Sequence, residues 1–216
     1  MAKKEAPIAT LKDYLPPGTY EPVLGYLQQY RVHLTVARER KSILGDYRHR
    51  IGSQTHRISV NGNLNPYSFL ITLLHELAHL LTFERYGNRV AAHGAEWKKG
   101  FGQLLAQFIE HGVFPEDIRA ALVRSLANPA ASSCADETLL RTLKTYDKGA
   151  GGLVFVDAIP EGGFFKTPDG RVFQRGPKLR KRFKGVEVLT GRLYLFSGVY
   201  EVEPVDQKPG SNSQEP

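Results

Sequence analysis

His75, Glu76 and His79 stand in the order HExxH, and these three side chains set the chemistry that the rest of the chain has to position. Four residues along an α-helix turn through roughly 400°, so the two imidazoles lie on one side and can share one metal ion. Glu76, next to the first imidazole, is placed to hold a water beside that ion and take its proton. Such a trio is the core of a zinc hydrolase. Chance accounts for it poorly: with 7 His in 216 residues, HExxH is expected at random roughly 0.01 times per chain.

The flanking residues predict a buried helix. Asn65-Pro66 supplies an N-cap and a first-turn proline, Tyr67 to Phe83 carries almost no charge besides Glu76, and Tyr86-Gly87-Asn88 ends the run. A helix that is apolar all round belongs inside a protein. Two imidazoles and a carboxylate there need partners, which a metal supplies. A pair of satisfied core histidines is the plainer alternative.

A catalytic zinc usually keeps three protein ligands and one open position. A metzincin would need Gly at 82 and His at 85, where this chain has Thr82 and Arg85. Its only methionine is Met1, so no Met-turn exists. His93 immediately precedes a second run at helical spacing (Phe101, Leu104, Leu105, Phe108, Ile109) and can fold back over the first helix. Glu96 is the rival, because a glutamate from a following helix serves in thermolysin-type sites. It also suits a helix's first turn as a charge favourable to the dipole. Ligand type and spacing favour His93.

Taken together, Gly45-Asp46-Tyr47-Arg48, Ile58-Ser59-Val60-Asn61, the segment Leu74 to His79 and His93-Gly94-Ala95-Glu96-Trp97-Lys98 resemble the SprT-like zinc metallopeptidases, which include Spartan-type DNA–protein crosslink proteases. The resemblance covers about residues 20 to 112. It implies one Zn2+ held by His75, His79 and His93, with Glu76 as catalytic base, in a zincin-like domain. The chain departs from the family in one respect. Many members carry a C-terminal zinc ribbon of paired CxxC motifs, whereas this sequence has the single cysteine Cys134. No four-cysteine site can form.

The elements that must position these residues are legible as an α+β arrangement. A short helix near Leu11 to Tyr14 breaks at Pro16-Pro17-Gly18, and Tyr20 to Tyr30 reads as an amphipathic helix. Strands are expected at Arg31–Val36, Ile43–Arg50 and His56–Asn61. Behind the site, helices are expected over Trp97–His111, Pro115–Leu126 and Asp136–Tyr146, the last after a linker at 128–133. Beyond Gly149-Ala150-Gly151-Gly152 the pattern changes to short β runs at 153–158, 164–167, 171–174, 182–189 and 192–202. The expected organisation is a metallopeptidase domain over 1–112, a helical connector over 113–148, a basic antiparallel β module over 149–205 and a disordered tail over 206–216.

Composition bounds the setting. A formal net charge of +7 favours acidic or polyanionic partners. Eight Lys or Arg fall between Arg171 and Arg192 against one acid, Glu187, with Phe173 and Phe183 among them. That pattern suits a surface for DNA, and equally a lysine-protected edge strand. No apolar run reaches membrane-spanning length free of charge, no signal peptide is visible, and a lone cysteine fits a cytoplasmic protein. For an oxyanion-stabilising donor, Tyr47, His49, His56 and Tyr86 all qualify, while His33 and His111 have no motif around them. The leading reading is a zinc metalloprotease acting on DNA-bound or crosslinked proteins. A structural zinc site closed by Glu96, within a nucleic-acid or protein-binding module, is one alternative. A zinc hydrolase of small peptides is the other.

Overall fold

The structure is a computed structural model that describes residues 8–40, 43–52, 54–127, 137–147 and 152–206. The leader before residue 8, the linker at 128–133, the cap at Asp136, Gly149 to Gly151 and the tail from residue 207 lie outside the described residues. The chain divides into two compact units, Met1–Lys148 and Gly149–Pro216. Helices and two sheets make it α+β.

The first unit is organised around one helix. Asn65 takes an extended conformation and its side chain accepts a hydrogen bond from Ser68 N–H. Pro66, with no N–H to leave unpaired, then starts α2 (Pro66–Tyr86). Phe69, Leu70, Ile71, Leu73, Leu74, Leu77, Ala78 and Leu80 are all buried, so apolar contacts surround the helix as its composition requires. Burying each large side chain is worth about 1.5–3 kcal/mol. That is the reserve against which the desolvated polar groups of the same helix are held. Gly87, at φ 61, closes α2 in a conformation that favours glycine.

Around α2 lie α1 (Tyr20–Gln29), which follows a 3₁₀ turn at Ile8–Tyr14, and a three-stranded sheet. The strands are β1 (Val32–Ala37), β2 (Gly45–Arg48) and β3 (His56–Asn61), in the order β1-β3-β2. β1 runs parallel to β3 and β2 antiparallel to it, so among the described residues β2 is an outer strand paired on one side only. β2 is shorter than its sequence suggests. Ile43 and Leu44, β-favouring by type, form the approach to it, and Asn61 N–H donates to Leu44 O at 2.9 Å.

Behind the site stand α3 (Ala95–Glu110), α4 (Glu116–Ala127) and α5 (Glu137–Lys144). Phe114, Ile118, Ala121, Leu122, Leu139 and Leu143 share one core with α2, so the stretch expected as a connector is packed into this unit. Asn65 also reaches it: its Nδ2 donates to Leu143 O and to Asp147 Oδ1.

The second unit is an antiparallel sheet in the order β4-β9-β5-β6-β7-β8. Its strands are β4 (Val154–Phe155), β5 (Phe164–Lys166), β6 (Val172–Leu179), β7 (Arg182–Glu187), β8 (Leu193–Ser197) and β9 (Glu201–Val205). Three runs differ from expectation, the one expected at 171–174 continuing to Leu179. Residues 192–202 are two strands rather than one, because the chain turns where Tyr200 N–H bonds Ser197 O. The 153–158 run pairs for two residues only and then tightens into a 3₁₀ turn. Val156, Ile159, Phe165, Phe173, Phe183 and Val202 form the core. Among the described residues no helix is long and apolar enough to cross a membrane.

Candidate metal centre

His75 and His79 lie one turn apart on α2, with their Nε2 atoms 3.2 Å from each other. The turn Ala91–Gly94, closed by Gly94 N–H to Ala91 O, sets His93 just before α3. From there His93 Nε2 comes within 3.3 Å of His75 Nε2. The three residues offer ligand atoms that all lie within 4.8 Å of one another. Ligands at about 2.0–2.1 Å from a tetrahedral ion are spaced about 3.3–3.4 Å apart, so the two short separations suit a zinc ion. Three imidazoles also leave a fourth position open. The donor set fits.

Packing, more than outer hydrogen bonds, holds the rings. Trp97, in the first turn of α3 and fully buried, sits 4.6, 5.1 and 4.7 Å from the ring centres of His75, His79 and His93. Phe101 stacks on Trp97 one turn later. His75 Nδ1 is buried with no hydrogen-bond partner among the described residues, so the outer partner that usually orients a ligand imidazole is replaced there by aromatic contact. Burial, with the neighbouring histidines adding to it, lowers His75 to about 3. Burial and then His93 lower His79 to about 4. Both imidazoles are therefore neutral at pH 7, with lone pairs free for a cation.

Glu76 points toward β2, against Gly45. Its carboxyl is raised to about 7, chiefly by burial and then by Asp46, with Arg40 opposing. A cation among the imidazoles acts against that rise. The space Glu76 occupies exists because residue 45 is glycine: a Cβ there would lie 2.5 Å from Glu76 Oε1 and 2.8 Å from Thr72 Cγ2. The approach to Gly45 is tied down by the buried Asn61. Asn61 Nδ2 donates to Arg40 O and Ile43 O, and its Oδ1 accepts from Arg40 Nε at 2.8 Å. Arg40 also donates to Ser59 Oγ.

Gly45→Ala is expected to lower kcat by about 10²-fold, since a displacement of about 1 Å at a reacting group costs that much. Zinc content is expected to stay at the wild-type level. Steady-state kinetics beside metal analysis checks it, and full activity in the alanine variant would contradict the cradle.

A cleft of roughly 490 Å³ opens over these residues. Gly45, Asp46, Tyr47 and His49 form one wall and the loop from Gly87 to His93 the other. A family model described as SprT-like family matches residues 21–113. Residues 21–113 are therefore similar to the SprT-like family. The SprT-like segment carries every residue of the site just described, and the family is one of metallopeptidase-type domains. No curated protein and no solved structure matches the chain.

The remaining sequence-level candidates separate cleanly. Glu96 lies in the first turn of α3 but faces a different cleft, with Tyr26 and Lys99, and stands outside the histidine group. Tyr86 lines that second cleft too. Tyr47 and His49 border the SprT-like site, and His56 is buried behind Tyr47. His111 bonds the carbonyl of Gln107 at the end of α3. Sequence reasoning passed over Gly45, although a lone glycine in a strand is a sign of close approach. Asn61, Arg40 and Glu84 gave no such signal.

In the second unit the basic segment divides. Arg171 is paired with Asp169 at 2.7 Å, and Arg175 lies 4.4 Å over the Phe183 ring. Lys178, Arg180, Lys181 and Arg182 are exposed around the β6–β7 turn. Phe173 and Phe183, which could have stacked on bases, are instead in the core.

Proposed function

We propose that the chain is a zinc-dependent metallopeptidase of zincin-like architecture that hydrolyses peptide bonds, with His75, His79 and His93 as zinc ligands and Glu76 as general base. The observation that carries the reading is three imidazole Nε2 atoms converging one residue from a buried carboxylate on the same helix. When bound, zinc supplies Lewis-acid polarisation of a water and of the scissile carbonyl.

The chain's own residues then divide the work. The neutral imidazoles hold the ion, and Trp97 keeps their rings in register. Glu76 Oε takes the proton from the attacking water and hands it to the departing amine nitrogen. The missing Cβ at Gly45 leaves the space that carboxylate occupies. β2, whose residues line the cleft and which pairs only with β3 among the described residues, suits the addition of an extended peptide as a further strand. The test is zinc stoichiometry of the purified protein together with cleavage of a denatured protein, with and without a hydroxamate. One zinc per chain and hydroxamate-sensitive cleavage are expected. Cleavage that survives complete zinc removal contradicts the proposal.

The proposed targets are DNA-bound or crosslinked proteins. The exposed cations Lys178, Arg180, Lys181 and Arg182 on one hairpin favour this, because such a cluster gains affinity for phosphates by releasing counterions. A closed structural zinc site has less support, since Glu96 faces another cleft. A single cysteine suits a reducing compartment, and a cytoplasmic location is part of the same proposal.

A further inference from the structure

Hydrolysis of a peptide bond develops negative charge on the carbonyl oxygen, and a donor fixed beside the site lowers the barrier more than one that must be ordered first. Of the four side chains that qualify by type, only Tyr47 and His49 border the cleft. They are held differently. His49 stacks on Phe83 at 4.5 Å between ring centres, and no hydrogen bond among the described residues fixes its nitrogens in a given direction. Tyr47 lies with its ring almost parallel to that of His79, 6.4 Å between centres and 4° between planes.

The hydroxyl of Tyr47 is 3.0 Å from His56 Nδ1. His56 is buried, and its Nε2 lies 3.2 Å from Glu84 Oε1, close but poorly aligned. Arg50 reaches the same carboxylate at 3.2 Å. A carboxylate only accepts, so it favours the proton on Nε2 and leaves Nδ1 as an acceptor for the phenol. The row Arg50, Glu84, His56, Tyr47 thus ends on a tyrosine that lines the cleft. Glu84 stands two turns beyond Glu76 on α2, so the helix that carries the metal ligands also anchors this row.

We propose that Tyr47 is the hydrogen-bond donor to the reacting carbonyl oxygen, with His56 and Glu84 as the positioning residues that hold its hydroxyl beside the imidazole triad. Rotation about the Cζ–Oη bond exchanges the hydrogen bond to His56 Nδ1 for one to the substrate oxygen, so the histidine places the hydroxyl before substrate arrives. The assignment rests on the metallopeptidase reading.

Tyr47→Phe keeps the ring and its packing and removes the hydroxyl alone. Its kcat is expected to fall about 10²–10³-fold, the usual loss for one such donor, with KM and zinc content near wild type and a modestly lower melting temperature, since the buried His56 Nδ1 loses its partner. Binding of a phosphinic peptide, a tetrahedral mimic of the transition state, is expected to weaken in calorimetry as well. A positioning role also predicts non-additivity. His56→Ala lowers kcat in the wild-type background and adds little in the Tyr47→Phe background, whereas a structural role gives the same loss in both. His56→Asn, whose amide can stand in for Nδ1, recovers part of the activity. Wild-type kcat and phosphinate affinity in Tyr47→Phe overturn the assignment, as does the same loss appearing in His49→Gln instead. A wild-type protein that binds zinc yet neither cleaves peptide nor binds the phosphinate overturns the metallopeptidase reading and this assignment with it.

Discussion

Glu76→Gln is expected to leave zinc bound and to reduce peptide hydrolysis by about 10²–10⁴-fold, the span over which a positioned general base contributes. The substitution nearly preserves shape. It therefore keeps the fit against Gly45 and removes only the ability to accept a proton. Burial already pushes the native carboxyl up to about 7, so a neutral amide in the same pocket carries no new desolvation cost. Unchanged melting temperature is part of the expected result. Turnover of a denatured protein by the glutamine variant at the wild-type rate would falsify the role given to Glu76.

His79→Ala is expected to abolish both stoichiometric zinc and hydrolysis. Loss of an outer partner of a ligand costs about 10–100-fold in metal affinity, and removal of one imidazole of three exceeds that. The residue stands between His75, His93 and Trp97, so its truncation also leaves a gap against the indole. Equilibrium dialysis against a graded zinc buffer, run beside the activity assay, separates the two effects. An alanine variant that keeps one tightly bound zinc per chain means that another residue completes the site. Acid acts on the same ligands. His75 and His79 are held at about 3 and 4, below their ordinary range, so protons compete for them only well below pH 6.

How far the site could be read in advance follows from where its residues draw their constraints. His75 and His79 are fixed by helical periodicity, and Asn65-Pro66 by capping chemistry, both of which are local. His93 is further along the chain, yet the turn before α3 that carries it has its own signature. The partners of Glu76 were harder, because Gly45 and Asn61 meet it or support it only once β2 and β3 lie against α2. Tyr47, His56 and Glu84 come from β2, β3 and α2, three elements whose juxtaposition no spacing records. In the second unit, alternation was readable in type but not in direction. Phe173 and Phe183 point inward while Lys178, Arg180, Lys181 and Arg182 are exposed.

The outer position of β2 has a bearing on what such an enzyme can attack. A strand with one unsatisfied side accepts only a segment whose own amides and carbonyls are already free, which a natively folded region does not offer. Proteins would then be cut at a frequency set by their local opening equilibria, with side-chain preference a lesser influence. Under the proposed function, resistance to cleavage would be a property of the target's stability, and a tightly folded neighbour, or this chain itself, would be spared for as long as it stays closed.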